Sequence, residues 1–188
     1  MASLSEHRAP AELLLIITGS MGAGKTSVLA EASDILTLQR ISHAAIDLDA
    51  LGLANLPAAT RSDDVMYRNL QSVCENYAFV GVTRFLLARA METRAELDLC
   101  RSLVSASNTV VCRIIASIET MESRVNLREL GVSQREYVAR VAALDAILDC
   151  VRLEDFTIAN ENRPLTEVAH EMLAKAGWIQ TEAPGKTG

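Results

Sequence analysis

Leu13-Leu14-Leu15-Ile16-Ile17-Thr18-Gly19-Ser20-Met21-Gly22-Ala23-Gly24-Lys25-Thr26-Ser27 decides how this 188-residue chain is read. Its first six residues form a continuous apolar run without period-two alternation, the pattern of a strand covered on both faces. The next eight fit GxxxxGK[ST]. From Lys25 to about Gln39 the apolar spacing becomes helical. A strand, a glycine-rich turn and a helix therefore follow one another directly. Glycines let such a turn point several backbone N–H groups into one concavity, and the helix start adds the positive end of its dipole. That arrangement suits a polyphosphate.

The Lys25 ammonium would reach the β- and γ-phosphates of a nucleotide such as ATP, and the Thr26 hydroxyl would ligate the Mg²⁺ that bridges them. The expected nucleotide contacts are Gly19, Ser20, Met21, Gly22, Ala23, Gly24, Lys25, Thr26 and Ser27.

Outward from this loop, apolar runs at Ala44 to Leu48, Arg84 to Ala90, Thr109 to Ala116 and Phe156 to Ala159 read as further strands. Helical patterns fall between and after them, at Ser62 to Asn76, Arg94 to Ser105, Ile118 to Leu130, Gln134 to Cys150 and Leu165 to Ala176. Strands alternating with helices imply right-handed crossovers and a parallel sheet between two helical layers, an α/β fold of three layers. A chain of this length holds one core. A single domain is expected over 12–179, with tails at 1–11 and 180–188. Trp178, just after Gly177, is expected to pack back on the core.

The net charge of −6 and pI near 5.1 argue against broad binding to nucleic acid, which needs a basic face. The apolar run Leu13 to Ile17 is too short to cross a bilayer and has no signal-peptide flanks, so no membrane partner and a cytoplasmic location are expected. Cys74, Cys100, Cys112 and Cys150 form no CxxC pair and read as small buried thiols.

Two further constellations carry chemistry. Asp47 and Asp49 close the second strand and, two apart on an extended segment, would share a face. Carboxyl ends of parallel strands form the ligand crevice, which places this pair near the γ-phosphate. One carboxylate could support Mg²⁺ while the other orients an acceptor hydroxyl or takes its proton; one or both could instead cap the following helix. Arg124 and Arg128 share a helix face with no acid three or four residues away. They suit phosphate clamping or stacking on a base, or else form a solvated face.

Together these residues resemble the small-kinase branch of the P-loop proteins, among them shikimate kinase, gluconate kinase and adenylylsulfate kinase. The resemblance covers residues 13 to about 178. It implies a five-stranded parallel sheet of order 2-3-1-4-5, a lid over the γ-phosphate and transfer from ATP to a small hydroxylated acceptor. Asp47 and Asp49 match the family's DxD, Arg124 and Arg128 its lid arginines, and 160–164 the turn near adenine. On this likeness Lys25, Asp47, Asp49 and Arg128 are the candidate catalytic residues, Arg124 a nucleotide contact, and Thr26 with Asp47 the metal ligands. The departures are definite. There is no Gly-Gly-Gly run after the third strand, no Asp-Asn-x-Arg over 49–60, and no Asp closing the third strand in the Walker B position. Arg61, Tyr67 and Arg68 lie where an acceptor would be expected. A regulator that binds nucleotide without an acceptor is the competing expectation.

Overall fold

The computed structural model describes residues 11–128, 130–131 and 134–180. Five strands, β1 (Leu13–Thr18), β2 (Ala44–Asp47), β3 (Arg84–Ala88), β4 (Asn108–Ile115) and β5 (Phe156–Ala159), form one sheet of order β2-β3-β1-β4-β5. Every pairing is parallel. Helices α1 (Lys25–Leu38), α2 (Leu48–Leu51), α3 (Ser62–Phe79), α4 (Arg94–Val104), α5 (Ile118–Arg128), α6 (Gln134–Val151) and α7 (Leu165–Lys175) connect and cover it.

The unbroken apolar strands have the predicted cause. On β1, Leu15 and Ile17 face a core shared with Val28 and Leu36 of α1, Met121 of α5 and Met172 of α7. Leu14 and Ile16 face the opposite core, with Met66 and Leu70 of α3 and Leu97 of α4. All four β1 side chains are buried, each burial contributing about 1.5–3 kcal/mol. Trp178 closes the first core from beyond Gly177. The start of α4 carries a reciprocal cap in which the Thr93 hydroxyl accepts the Glu96 N–H and the Glu96 carboxylate accepts the Thr93 N–H.

Several expected boundaries shift. α3 runs three residues past Asn76 to Phe79, and β3 stops at Ala88 rather than Ala90. Ala11, assigned to a tail, is 2 % exposed: its methyl packs in the second core and its carbonyl accepts the Ser107 N–H. The tails at 1–10 and 181–188 lie outside the described residues, as do 129, 132 and 133. Cys74, Cys100 and Cys112 are buried, but Cys150 is exposed on α6. Burial pushes the Cys100 and Cys112 thiols up to about 12, which keeps them protonated and unreactive near neutrality.

Candidate active site

The loop between β1 and α1 is shaped by what presses on it. Gly22 has φ +77, and a Cβ there would run into the Met121 carbonyl of α5. Gly24, at φ +100, caps α1 and lies against the Asn160 amide. A side chain at either position would force the backbone out of this turn. The Ser20 side chain is buried and donates to the Val141 carbonyl of α6 at 2.7 Å. Ser20 therefore ties the loop to α6 through its hydroxyl and can offer only its backbone to a ligand.

Lys25 lies over the loop and donates to the Ser20 carbonyl at 3.1 Å. Burial lowers its pKa, and the nearby Asp49 and Asp47 carboxylates partly oppose that shift. The Thr26 hydroxyl donates to Asp47 Oδ2 at 2.7 Å. A hydroxyl and a carboxylate side by side at the mouth of the loop are hard oxygen donors of the kind that suits Mg²⁺.

Asp47 and Asp49 do not share one extended face. The chain turns into α2 directly after Asp47, whose Oδ1 accepts the Asp49 N–H at 3.1 Å and caps that helix. Asp47 thus serves as cap and as partner of Thr26. Asp49 sits in the first turn of α2, 68 % exposed, with Oδ1 3.2 Å from Arg89 Nη1. Capping rotates the two carboxylates apart, toward different partners.

Arg124 and Arg128 both reach the loop. Arg124 donates to the Gly22 carbonyl at 3.3 Å and the Asn160 carbonyl at 2.8 Å. Its bonds go to carbonyls of the chain itself, because α5 packs directly on the loop. A hollow of about 100 Å³ holds Lys25, Thr26, Ser27, Asp49 and Arg128 with Met21, Gly22 and Gly24. A second hollow of about 290 Å³, lined by Gly24, Ser27, Arg124, Asn160, Arg163 and Leu165, lies where the turn 160–164 was expected to meet a base. The Asn160 amide fastens that turn to the loop by donating to the Ala23 carbonyl at 2.8 Å.

Glu161 ties the same turn to α5. Its carboxylate accepts the hydroxyls of Thr120 and Ser117 and the Ser117 N–H. These donors hold its pKa below the ordinary glutamate value. A depressed carboxylate contributes stability above its ordinary pKa and loses it as pH falls through the folded-state value. Urea midpoints measured between about pH 3 and 6 should therefore fall more steeply for the wild type than for Glu161→Gln. Parallel curves would show that the Glu161 bonds do not favour the charged form.

Beside the loop opens a chamber of about 270 Å³ lined by Met21, Lys25, Asp49, Arg89, Ala90, Glu92, Tyr137, Arg140 and Leu144. Arg89 occupies the place of the missing Walker B carboxylate. Its N–H bonds the Ile17 carbonyl of β1, and the Met91 N–H bonds the buried Thr18 hydroxyl, which pins the end of β3 to β1. The Arg89 guanidinium also lies 5.9 Å from the Tyr67 ring. Tyr67 directs its hydroxyl toward Glu96, and Arg61, just before α3, and Arg68, on it, are exposed, so none of the three lines the chamber. Sequence reasoning missed Arg89, Glu92, Tyr137 and Arg140. Only Arg89 left a signal, an arginine directly after the buried run Phe85-Leu86-Leu87-Ala88.

Sheet order, loop and helical layers together are the fold of the P-loop small-molecule kinases. Among solved structures, the gluconokinase of Sinorhizobium meliloti 1021 is similar, with a TM-score of 0.56 and 18% identity over 90% of this chain and 94% of that one. The shikimate kinase of Acinetobacter baumannii, solved with shikimate, gives 0.56 and 18% over 89% and 93%. The Mycobacterium tuberculosis APS kinase, solved with AMPPNP and APS, gives 0.58 and 17% over 88% and 97%. No protein-family profile and no curated relative matches the chain. Among the described residues no helix is long and apolar enough to cross a membrane.

Proposed function

We propose that this protein is a kinase that transfers the γ-phosphoryl group of ATP to a small hydroxylated acceptor. The observation that carries the reading is the place of Asp49, which lines both the loop hollow and the adjoining chamber. A carboxylate at that junction can accept the proton of an acceptor hydroxyl as its oxygen attacks the γ-phosphorus. The backbone of the loop and Lys25 hold the phosphates, Arg128 closes over them, and the base rests by Arg124 and the turn 160–164. Thr26 and Asp47 would hold Mg²⁺, which when bound neutralises the charge gathering on the phosphate oxygens. The likeness to kinases solved with a nucleotide analogue or a small acceptor supports this division of the site. We place the activity in the cytoplasm, where ATP is plentiful. A regulator that only binds nucleotide would have no use for a polar chamber beside Asp49.

Lys25→Ala tests the nucleotide half. A charge-assisted hydrogen bond contributes about 1.5–3 kcal/mol, so affinity for Mg²⁺·AMPPNP, measured by calorimetry, should fall about 10- to 100-fold. An unchanged affinity would remove the loop from the nucleotide site. For the acceptor half, the protein is incubated with γ-labelled ATP and a pooled metabolite library. Label on a small molecule supports the kinase; label released only as inorganic phosphate supports an NTPase.

A further inference from the structure

Apart from Lys25, which lies over the loop, the charges lining the acceptor chamber are already engaged with acids or bases of the chain. Arg89 has Asp49 and Asp63 at 3.2 Å and Glu96 at 3.6 Å. Arg140 Nη2 lies 2.8 Å from both carboxylate oxygens of Glu92. Glu96 also accepts the backbone N–H groups of Glu92 and Thr93, at 2.9 and 3.2 Å. An acceptor bearing a carboxylate, sulfate or phosphate would have to draw Arg140 from Glu92 or Arg89 from Asp63, then sit beside the abandoned carboxylate. An ammonium-bearing acceptor would strand a guanidinium in the same way. A hydroxyl group has neither difficulty: its oxygen accepts from a guanidinium while its proton goes to the carboxylate of the same pair. Tyr137, Met21 and Leu144 give the chamber an apolar side, which suits the face of a ring. At about 270 Å³ the space is at the small end for a ligand site and fits a single ring.

We propose that the acceptor is an uncharged, hydroxyl-bearing ring compound, bound through Arg89, Glu92 and Arg140 with its ring against Tyr137 and Leu144. This rests on the kinase reading above. One acceptor hydroxyl gives its proton to Asp49 as its oxygen bonds to the γ-phosphorus. The bond from that phosphorus to the β–γ bridging oxygen breaks, ADP departs with the electron pair, and the product is a neutral ring bearing one phosphate monoester.

The test offers the full-length protein Mg²⁺, γ-labelled ATP and three acceptor sets of similar size. These are uncharged methyl glucoside and myo-inositol; anionic glucuronate, gluconate and shikimate; and cationic glucosamine. Transfer to an uncharged acceptor should exceed transfer to any charged one by at least about threefold in kcat/KM. Preferred transfer to an acid or to the amine overturns the proposal and leaves the kinase standing, whereas label found only in inorganic phosphate removes both. Glu92→Gln supplies a second measurement. It weakens the hold on Arg140, so the ratio of kcat/KM for acids to that for uncharged acceptors should rise at least about twofold. An unchanged ratio in a variant with a wild-type urea midpoint would show that the pair does not select the acceptor, and overturns the proposal.

Discussion

Asp49→Asn is expected to lower kcat for phosphoryl transfer by about 10²- to 10⁴-fold while the ATP dissociation constant moves less than about threefold. Asparagine keeps the shape of the side chain and an oxygen facing Arg89, but it cannot hold the acceptor proton. The fold should barely respond. Asp49 is largely exposed, and Arg89 keeps Asp63 and Glu96 as partners, so the lost ion pair is worth about 0–1 kcal/mol. Steady-state transfer, nucleotide calorimetry and a urea midpoint on the one variant separate these effects. Transfer at the wild-type rate would deny Asp49 the role of base; a lowered midpoint would make it a structural residue. If the protein were only a nucleotide-binding regulator, the substitution would leave nucleotide response intact.

Arg113→Ala should produce the largest loss of stability. Arg113 stands on β4 with its side chain 4 % exposed, and its guanidinium contacts Asp145 and Asp149 of α6 at 2.7 Å each and Glu154 at 3.8 Å. Asp149 is well exposed, but Asp145 and Glu154 are mostly covered. Removing the cation leaves their charges against a part-buried wall. Breaking a buried pair in this way costs about 3–5 kcal/mol, against about 0–1 for a surface pair such as Arg140–Glu92. For a chain of this size that corresponds to a fall in Tm of about 6–20 °C. Thermal and urea unfolding check it, and a midpoint within error of the wild type would show that water screens these contacts. The consequence extends to function, because α6 also carries Tyr137 and Arg140 of the chamber and receives the Ser20 bond from the loop. Arg113→Ala should therefore weaken acceptor use as well as stability.

Much of this molecule was legible in the chain itself because the deciding signals are local. Leu13 to Ile17 is apolar at every position since both faces of β1 are covered, and that says parallel sheet before any contact is known. The glycines at 22 and 24 stand where φ is positive and where α5 and Asn160 press on the loop. The pattern GxxxxGK[ST] marks the proposed phosphate site, and the alternation of strands and helices places the layers. Resemblance to the small kinases added the strand order, which the structure has.

What the tertiary structure alone decided are matters of direction and of distant partners. Spacing put Asp47 and Asp49 together on one strand; the cap at Asp47 starts a helix one residue later and sends Asp49 toward Arg89, a residue 40 positions away. Ser20 reads as a nucleotide contact, and the structure engages its hydroxyl with Val141, 121 residues distant, which leaves its backbone for that role. Arg124 looked open to an outside anion until α5 brought it onto carbonyls of the loop. The chamber proposed for the acceptor joins residues from the loop with the start of α1, from α2, from the segment after β3 and from α6, which no periodicity links. A helical or strand period records which face of one segment is buried, whereas a site assembled from four segments depends on how their axes pack, and packing is settled only when the core forms.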